Sequence, residues 1–218
     1  MLEKEFLNHD QLVLVGGSGM FIDALCYGLD EIPADKSLRE ALTVELEEKG
    51  LTALLDELKA KDPEFYEQVD QKNPVRVLRA IEVIRLTGKT FTEMRKATKK
   101  EHPFEIIRFI IEHEREKLYH RINLRVDLMM ENGLLEEVKS VYPKKHLNSL
   151  RTVGYSELFD FLDNKITLTE AVELIKQNSR RYAKRQLTWF RKHTEAHLIP
   201  FDTTDQMLLK VLNQLDNN

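Results

Sequence analysis

The chain has 218 residues, of which 42% are hydrophobic and 32% charged, and its formal net charge is −4 at pH 7. This length fits one large domain or two small ones, and the composition predicts a soluble, helix-rich protein. No apolar run is long enough to span a membrane, and the first residues lack the basic-then-apolar pattern of a signal peptide. The single cysteine, Cys26, excludes an internal disulfide and a zinc site with two thiolates, and it suits a reducing cytoplasm.

The charges are unevenly distributed along the chain. Residues 1–70 carry six Lys and Arg against 17 Asp and Glu. Residues 174–194, by contrast, contain no acid and seven basic side chains: Lys176, Arg180, Arg181, Lys184, Arg185, Arg191 and Lys192. A solvated helix face is one explanation and a polyanionic partner is the other. The absence of interleaved Glu favours the partner, because exposed helix faces usually mix signs for pairing one turn apart.

The segment from Leu12 to Ile22 is predicted to be a buried parallel strand that breaks into a glycine turn and begins a helix, which ends near Leu29. The turn consists of Gly16, Gly17, Ser18 and Gly19. Such a turn directs backbone N–H groups and a helix N-terminus at one spot, which suits a phosphate or another anion. The Ser18 hydroxyl can donate to a phosphate oxygen. The turn is neither a P-loop nor a Gly-x-Gly-x-x-Gly motif, and a purely structural tight turn remains the alternative.

Residues 36–103 are predicted to form a helical excursion between two strands of one sheet. Its helices are expected to start near Asp35, Asp62, Asn73 and Thr90 and to stop at Gly50, Val69, Gly88 and Ala97. The second strand is predicted over Pro103–Ile111, which is rich in β-branched and aromatic residues. The Asn73 helix carries Arg76 and Arg79, for which a solvated face is the default interpretation.

The rest of the chain is predicted to be helical, apart from a closing strand at 196–201. Helices are expected at 114–131, from the Asn132-Gly133 break to about Tyr142, and at 152–162, 167–192 and 205–215. In the first of these, Tyr119, Arg121 and Arg125 suit a clamp for a pyrophosphate. A surface pair of these arginines with Glu116 or Asp127 is the alternative, which the spacing alone favours.

The helix at 167–192 is the strongest candidate for contact with a polyanion. Its basic residues form two stripes that suit phosphate contacts, Lys176, Arg180 and Lys184 in one and Arg181 and Arg185 in the other. The residues expected to face a core are Leu174, Tyr182, Leu187 and Phe190. Trp189 and Tyr182 can instead stack on bases, although a lone aromatic on an amphipathic helix usually belongs to a core.

Two other runs only resemble functional motifs. Gly88-Lys89-Thr90 looks like the end of a P-loop, but Val83 stands where the first glycine is required. His113-Glu114 begins a zinc-protease pattern that lacks its second histidine, because that position is Lys117. The sequence therefore predicts no metal site built by this chain alone.

Six motifs occur in a specific order along the chain. They are Val15-Gly-Gly-Ser-Gly-Met-Phe-Ile, Asn73-Pro-Val-Arg-Val-Leu-Arg-Ala-Ile-Glu-Val, Leu118-Tyr-x-Arg-Ile-x-x-Arg-Val-Asp127, Gly133-Leu-Leu-Glu-Glu-Val, Thr152-Val-Gly-Tyr and Arg180-Arg-Tyr-Ala-Lys-Arg-Gln-Leu-Thr-Trp-Phe-Arg191. In these motifs the chain closely resembles bacterial tRNA dimethylallyltransferases, also called tRNA isopentenyltransferases. The resemblance covers essentially the whole chain.

The resemblance implies an α/β fold that is predominantly helical. Residues 1–35 and 104–218 form its core, which resembles part of a P-loop kinase and contains few parallel strands. Cores of this type bind ATP and other nucleotides. Residues 36–103 are then a helical insertion domain that grips the tRNA anticodon stem-loop. The implied activity is Mg²⁺-assisted transfer of a dimethylallyl group from dimethylallyl pyrophosphate to the exocyclic amine of the adenosine 3′ of the anticodon. That base is flipped out, and the protein is expected to be a cytoplasmic monomer with no membrane contact.

The resemblance also assigns roles by motif. Ser18 replaces a family threonine at the reaction centre, where it helps to position the target base and the leaving pyrophosphate. Pyrophosphate binding falls to Gly16, Gly17, Gly19, Tyr119 and Arg125. Contact with tRNA falls to Arg39, Arg76, Arg79, Arg151, Thr152, Gly154, Tyr155, Arg180, Lys184, Arg185, Gln186 and Trp189. Asp23 stands where many relatives carry a basic residue, which is a second departure.

Members of the family begin with a Gly-x-x-x-x-Gly-Lys-Ser P-loop and an Asp-Ser-x-Gln segment whose aspartate acts as general base. Neither occurs in this sequence. The resemblance therefore implies a C-terminal portion of the enzyme, with most Mg²⁺ ligands and the base outside it, and we expect no transfer by this chain alone. A non-catalytic tRNA-binding module is the alternative, and a helical domain whose basic surfaces are merely solvated is a third.

Overall fold

The computed structural model describes residues 2–95 and 100–215. The structure is 65% helical and contains a small parallel sheet of two strands, so the predicted fold class is confirmed. The chain forms two compact units, one of Met1–Gly19 with Glu105–Asn218 and one of Met20–Phe104. The second unit contains the residues of the predicted helical insertion, whose boundaries at 36 and 103 stay a prediction.

The first unit is built mainly from helices that follow a short strand. In chain order its elements are α1 (Leu2–Glu5), the first residue of α2 (Gly19–Tyr27), β1 (Phe109–Glu112), α7 (Arg115–Glu131), α8 (Leu134–Val141), two 3-10 turns (Tyr142–Lys144 and Asn148–Leu150), α9 (Tyr155–Leu162), α10 (Leu168–Phe190), β2 (His197–Pro200) and α11 (Thr204–Leu215). The predicted helices and the closing strand are present within a few residues of the expected bounds. The strand predicted from Pro103 begins only at Phe109.

The two strands pair in parallel, with Phe109 opposite His197 and Glu112 opposite Pro200. The hydrophobic core of this unit lies among the helices instead, where its buried residues are Val126, Leu134, Val138, Leu158, Phe159, Ala171 and Ile175. This core fixes α7, α8, α9 and α10 against one another.

The buried strand predicted at the start of this unit is wrong. Residues 11–16 form no regular structure, and Val13 and Val15 are 91% and 88% exposed. β-branched residues stabilise a strand through packing on a pleated neighbour. Within the described part of the chain only β1 and β2 pair, so the 11–16 segment has no strand beside it.

The predicted inward face of α10 is also partly wrong. Leu174 and Tyr182 are exposed, whereas Leu187 and Phe190 are half-buried. The buried positions of the first turns are Ala171 and Ile175, one helical turn apart. Since neighbouring helix positions differ by about 100°, the choice of Leu174 over Ile175 places the inward face on the wrong side.

The second unit consists of helices, and the starts of all those after α2 were predicted. Its helices are the rest of α2, α3 (Lys36–Lys61), α4 (Pro63–Gln68), α5 (Pro74–Thr87) and α6 (Phe91–Met94). The capping side chains each accept from the N–H three residues on, namely Asp35, Asp62, Asn73 and Thr90. Gly50 (φ 76°) kinks α3 and Gly88 (φ 71°) ends α5. The predicted end of the last helix, Ala97, lies outside the described residues.

A fully buried carboxylate, Glu82, lies in the middle of α5. Burial raises the pKa of this carboxyl, but hydrogen bonds from Arg79, Arg39 and the Asp35 N–H outweigh that effect and hold the pKa below its ordinary value. The Arg79 Nη1 and Arg39 Nη2 atoms lie 2.8 and 2.9 Å from Glu82 Oε2. Glu82 therefore stays ionised and fixes the start of α3 against α5.

Arg85, also on α5, bridges the two halves of the kinked helix α3. Its Nη1 lies 2.7 Å from Glu45 Oε2, before the kink at Gly50, and its Nη2 lies 2.5 Å from Glu57 Oε2, after it. The hydrogen bond from Arg85, then that from Lys49, lowers the pKa of Glu45 to about 2. One guanidinium thus holds both sides of the kink.

We expect the Arg85→Met variant to lower the free energy of unfolding by about 1–2 kcal/mol at pH 7, because two carboxylates lose their shared donor. The difference in unfolding free energy between the parent and the variant should become smaller as pH falls. Since the folded pKa of Glu45 is depressed from 4.5 to about 2, the stabilisation is complete above pH 4.5 and fades as pH falls toward 2. Urea unfolding of both proteins at pH 7 and pH 3 measures the difference.

The matched control is Lys36→Met, which removes a more exposed pair whose Lys36 and Glu40 side chains are 92% and 69% exposed and 3.8 Å apart. It is expected to change stability little at either pH. An Arg85→Met defect that is equally large at pH 7 and pH 3 contradicts the assignment to ionised carboxylates.

Candidate anion and nucleic-acid site

The glycine turn leads directly into α2, whose first residue is Gly19. Ser18 is half-buried before it, and Gly19 is buried. The first turn of α2 carries no acidic residue, so no local carboxylate neutralises the positive end of the helix dipole. The turn therefore retains the electrostatic character that the sequence predicts for an anion site.

Two side chains of α10 hold this turn. The amide Nε2 of Gln186 donates to the Gly17 carbonyl oxygen at 2.7 Å. A Cβ added at Gly17 would lie 2.3 Å from that Nε2, and a Cβ added at Gly19 would lie 2.2 Å from Cδ1 of Trp189. At Gly19 the close approach of α10 leaves no room for a Cβ unless the indole moves, whereas at Gly17 a Cβ would meet only the flexible end of Gln186. The sequence alone reveals neither contact.

Helix α7 lies antiparallel to α10. Arg180 Nη1 donates to Asn123 Oδ1 at 2.5 Å, and Lys176 Nζ lies 2.8 Å from Asp127 Oδ1, so the chain directions oppose. Tyr119 is about one turn before Asn123, and Gln186 is somewhat more than one turn after Arg180. The predicted pyrophosphate residue Tyr119 therefore belongs to the same end of the helix pair as the glycine turn.

Of the predicted clamp residues of α7, Arg121 and Arg125 are exposed and Tyr119 is half-buried. Arg125 is exposed and, among the described residues, has no carboxylate within ion-pair distance. The alternative, a surface pair of these arginines with Glu116 or Asp127, is not formed among the described residues, where Asp127 pairs with Lys176 instead. Tyr119 accepts from Arg115 Nε through its hydroxyl at 3.2 Å. A cation and a phenol are thus available on this helix.

A ring cluster at the carboxyl ends of the strands was not predicted. The Phe201 N–H donates to the Glu112 carbonyl at 2.8 Å. The centroid of the Phe201 ring lies 3.9 Å from that of the stacked His113 ring and 4.6 Å from the Arg121 guanidinium carbon. Burial, then the charge of Arg121, lowers the pKa of His113, which favours its neutral form. Carboxyl ends of parallel strands are common ligand positions, but no spacing pairs these residues in the sequence.

The carboxyl half of α10 and the residues after it present an outward basic face. We define this basic face as the exposed residues Arg181, Lys184, Arg185, Arg191 and Lys192. None of them forms an ion pair with a carboxylate in the part of the chain that the structure describes. The predicted stripe is corrected at Lys176, which is only 15% exposed and pairs with Asp127 and Glu173. Arg180 is half-buried against α7.

A buried polar chain joins the Arg151–Tyr155 loop to α10. The Gly154 N–H donates to Glu157 Oε2 at 2.8 Å, and Asn178 Nδ2 donates to Glu157 Oε1 at 2.6 Å. Asn178 Oδ1 in turn accepts from Arg181 at 3.2 Å. Sequence reasoning missed Glu157 and Asn178, although the three-residue spacing from Gly154 to Glu157 is that of a capping box.

The loop itself supplies the predicted tRNA residues. Arg151 and Thr152 are exposed, Gly154 is buried with φ 101°, and Tyr155 is half-buried. The Tyr155 hydroxyl donates to Glu137, and this hydrogen bond raises the pKa of the phenol. The exposed pair remains a predicted tRNA contact.

The predicted tRNA residues of the second unit differ in what they contact. Arg79 donates to the carbonyls of Ile32 at 3.0 Å and Pro33 at 2.9 Å, besides Glu82, so the solvated-face interpretation is wrong for it. Arg76 is exposed, and the Arg39 side chain is 53% exposed. Contact of these arginines with tRNA stays a prediction. Arg79 also stabilises the fold, through its hydrogen bonds to Ile32, Pro33 and Glu82.

The described residues bring together no group of three or more His, Cys, Asp or Glu side chains that would hold a metal ion. The described residues therefore do not by themselves provide the oxygen ligands that Mg²⁺ prefers. None of the described helices combines the length and apolarity that crossing a membrane requires.

We expect the Gly19→Ala variant to displace Trp189, because the added methyl would overlap the indole. Trp189 is the only tryptophan of the chain, so its fluorescence reports the change directly. The emission should shift to longer wavelength and acrylamide quenching should increase. The control is Ser18→Ala, which changes the neighbouring residue without adding atoms. A Gly19→Ala spectrum identical to that of the parent contradicts the close contact between Gly19 and the Trp189 indole.

Comparison with known proteins agrees with these motifs. The family model for IPP transferase matches residues 2–193. The tRNA dimethylallyltransferase 1 of Phocaeicola vulgatus is 52% identical over 192 residues, covering 88% of this chain and 64% of that protein. Its counterpart in Bacteroides thetaiotaomicron is 50% identical over 196 residues, covering 89% and 64%. The chain thus spans somewhat less than two thirds of the length of these relatives.

Solved structures show the same likeness. The full-length tRNA isopentenylpyrophosphate transferase of Bacillus halodurans is 36% identical with a TM-score of 0.59, covering 94% of this chain and 65% of that one. A eukaryotic dimethylallyltransferase acting on tRNA is 25% identical with a TM-score of 0.68, covering 94% and 56%. By its family match, its relatives and its fold, the chain belongs to the IPP transferase family, whose members named here are tRNA dimethylallyltransferases.

Proposed function

We propose that this chain binds dimethylallyl pyrophosphate at the glycine turn and a tRNA anticodon stem-loop along α10. The reaction served is transfer of the dimethylallyl group to the exocyclic amine of the adenosine 3′ of the anticodon. The proposal rests on two contacts of α10 with the turn, namely the hydrogen bond from Gln186 to the Gly17 carbonyl and the close approach of Trp189 to Gly19. The helix that provides these two side chains also carries the unneutralised basic face.

The pyrophosphate would bind through backbone N–H groups and the dipole at the start of α2, with the Ser18 hydroxyl as a further donor. Tyr119 and Arg125 on α7 supply a phenol and a guanidinium. Arg125 is free of carboxylates in the described structure, so a pyrophosphate meets no internal competitor for it. These groups stabilise the negative charge that develops as the leaving group departs.

The tRNA would lie against the basic face and the exposed Arg151 and Thr152. Five cations without carboxylate partners attract phosphates and release counterions when they bind. Arg39 and Arg76 on the second unit are proposed as further contacts. The family suggests a monomer, and a single cysteine, Cys26, together with a tRNA substrate favours the cytoplasm.

Transfer breaks the C–O bond between the dimethylallyl group and the pyrophosphate and forms a C–N bond to the adenine amine, which loses one proton to a base. The residues at the turn bind and orient the donor, and Ser18 is proposed to position the target base. The sequence contains neither a P-loop nor an Asp-Ser-x-Gln segment. We therefore propose that these 218 residues bind both substrates without joining them.

We expect the Lys184→Ala/Arg185→Ala double variant to bind an anticodon stem-loop RNA more weakly than the parent chain. Loss of two phosphate contacts should also reduce the slope of log affinity against log salt by about 2. Fluorescence anisotropy of labelled RNA at several salt concentrations measures both. Lys36→Ala, an exposed lysine on α3, is the control. Equal affinities and slopes for the double variant and the parent exclude the basic face as the RNA site.

The activity itself is tested with unmodified tRNA, dimethylallyl pyrophosphate and Mg²⁺, followed by mass spectrometry of the nucleoside 3′ of the anticodon. We expect binding of both substrates and no mass gain, while a full-length relative modifies the same tRNA in parallel. Robust transfer by this polypeptide refutes its proposed incompetence. Binding of RNA without any binding of dimethylallyl pyrophosphate favours the non-catalytic tRNA-binding module instead.

A further inference from the structure

We propose that Glu157, the third residue of α9, is a positioning residue for RNA binding. Its carboxylate fixes the loop at 151–154 on one side and, through Asn178, the guanidinium of Arg181 on the other. The inference rests on the proposed function, because Arg151 and Arg181 belong to the surface that is proposed to contact tRNA. Glu157 itself is buried, so it acts only through the residues that it binds.

The carboxylate of Glu157 uses both of its oxygens. Oε2 accepts from the Gly154 N–H at 2.8 Å, and Oε1 accepts from Asn178 Nδ2 at 2.6 Å. The residue is only 7% exposed, and burial of a carboxylate is costly unless hydrogen bonds replace those of water. A carboxylate accepts at both oxygens, whereas an amide of the same size accepts at one end and donates at the other. The arrangement therefore requires an acidic side chain at this position.

One oxygen fixes the base of the loop. Gly154 has a φ of 101°, a conformation that residues with a side chain rarely adopt, and its N–H points to Glu157. The carbonyl of Thr152 accepts from the Ser156 N–H at 3.0 Å, which ties the loop to the first turn of α9. The side chains of Arg151 and Thr152 remain exposed. The loop is thus held through its backbone and leaves its polar side chains available.

The other oxygen sets the direction of a side-chain amide on α10. Because Nδ2 of Asn178 donates to Glu157, the Oδ1 atom at the other end of the amide faces Arg181, whose Nη1 donates to it at 3.2 Å. Asn178 and Arg181 are three residues apart and lie on the same side of the helix. This partner of Arg181 is neutral, so the guanidinium keeps its charge for a phosphate. An arginine that is already oriented loses less side-chain freedom when it binds.

The Glu157→Gln variant separates the two halves of this arrangement. The N–H of Gly154 cannot turn, so the one remaining oxygen stays with it and the new NH2 group faces Asn178. The Asn178 amide must then turn over to accept, which brings its own NH2 group against Arg181. The loop keeps its hydrogen bond, while Arg181 loses its acceptor.

Fluorescence anisotropy of a labelled anticodon stem-loop RNA tests the inference through double-variant cycles. In the parent we expect Arg181→Ala to raise the RNA Kd by about fivefold. In the Glu157→Gln background the same change should raise it by less than about twofold, because Arg181 is no longer oriented there. Arg151→Ala should cost the same factor in both backgrounds, since the loop is still held. Asn178→Ala should reproduce the Glu157→Gln result, because it removes the acceptor of Arg181 directly.

Two controls distinguish positioning from a general loss of structure. Lys184 belongs to the same basic face but forms no hydrogen bond with Glu157 or Asn178 in the described structure, so Lys184→Ala should cost the same factor in both backgrounds. Glu170 is the capping-box glutamate of α10 and accepts from the Thr167 N–H at 2.7 Å. Glu170→Gln should leave the RNA Kd within about twofold of the parent. Circular dichroism checks that each variant is folded, and the Asn178→Ala cycle decides if Glu157→Gln is not.

Four results overturn the inference. If the parent binds RNA and Arg181→Ala costs the same factor in both backgrounds, Glu157 does not position Arg181, and the proposed function stands. An Arg181→Ala variant with the parent affinity excludes Arg181 as an RNA contact. A Lys184→Ala cost that also disappears in the Glu157→Gln background assigns the effect to distortion of the whole helix. A parent that binds no RNA refutes the proposed function, and the inference with it.

Discussion

The site depends on one long-range hydrogen bond, from the side-chain amide of Gln186 to the carbonyl of Gly17. It connects a segment without regular structure to the longest helix of its unit, and Trp189 adds a packed indole beside it. Without this connection the turn would be an exposed loop between the apolar 11–16 segment and α2. With it, the turn is held against the carboxyl half of α10.

The other interactions of α10 serve to keep that helix in place while leaving its outer side unpaired. Lys176 forms an ion pair with Asp127, and Arg180 donates a hydrogen bond to Asn123. These two contacts fix α10 against α7. Asn178 binds the buried Glu157 and so fixes α10 against α9. The basic residues that remain exposed come later along the helix, beside Gln186. One basic run thus contains both structural charges and exposed charges, and the proposed tRNA contact uses the exposed ones.

Local chemistry in the sequence was enough to place the helices, because a cap acts within three residues of its own position. Asp35, Asn73 and Thr90 begin helices as predicted. The strand at 12–15 could not be judged in this way, since a strand depends on a neighbour that local pattern does not reveal. The burial of Glu82 and the use of Arg79 within the fold depend equally on distant residues. At the site, the glycines of the turn were identified from the sequence. The contact of Gly17 with Gln186 was not, because it joins positions 169 residues apart.

The central claim is that the glycine turn and the carboxyl half of α10 behave as one element. Hydrogen exchange followed by mass spectrometry tests it most directly, with peptides from 12–20 and 180–192 compared before and after addition of an anticodon stem-loop RNA alone. The account predicts that RNA slows exchange in both peptides, including the turn that it does not contact. Protection of the 180–192 peptide with unchanged exchange at the turn would contradict the account.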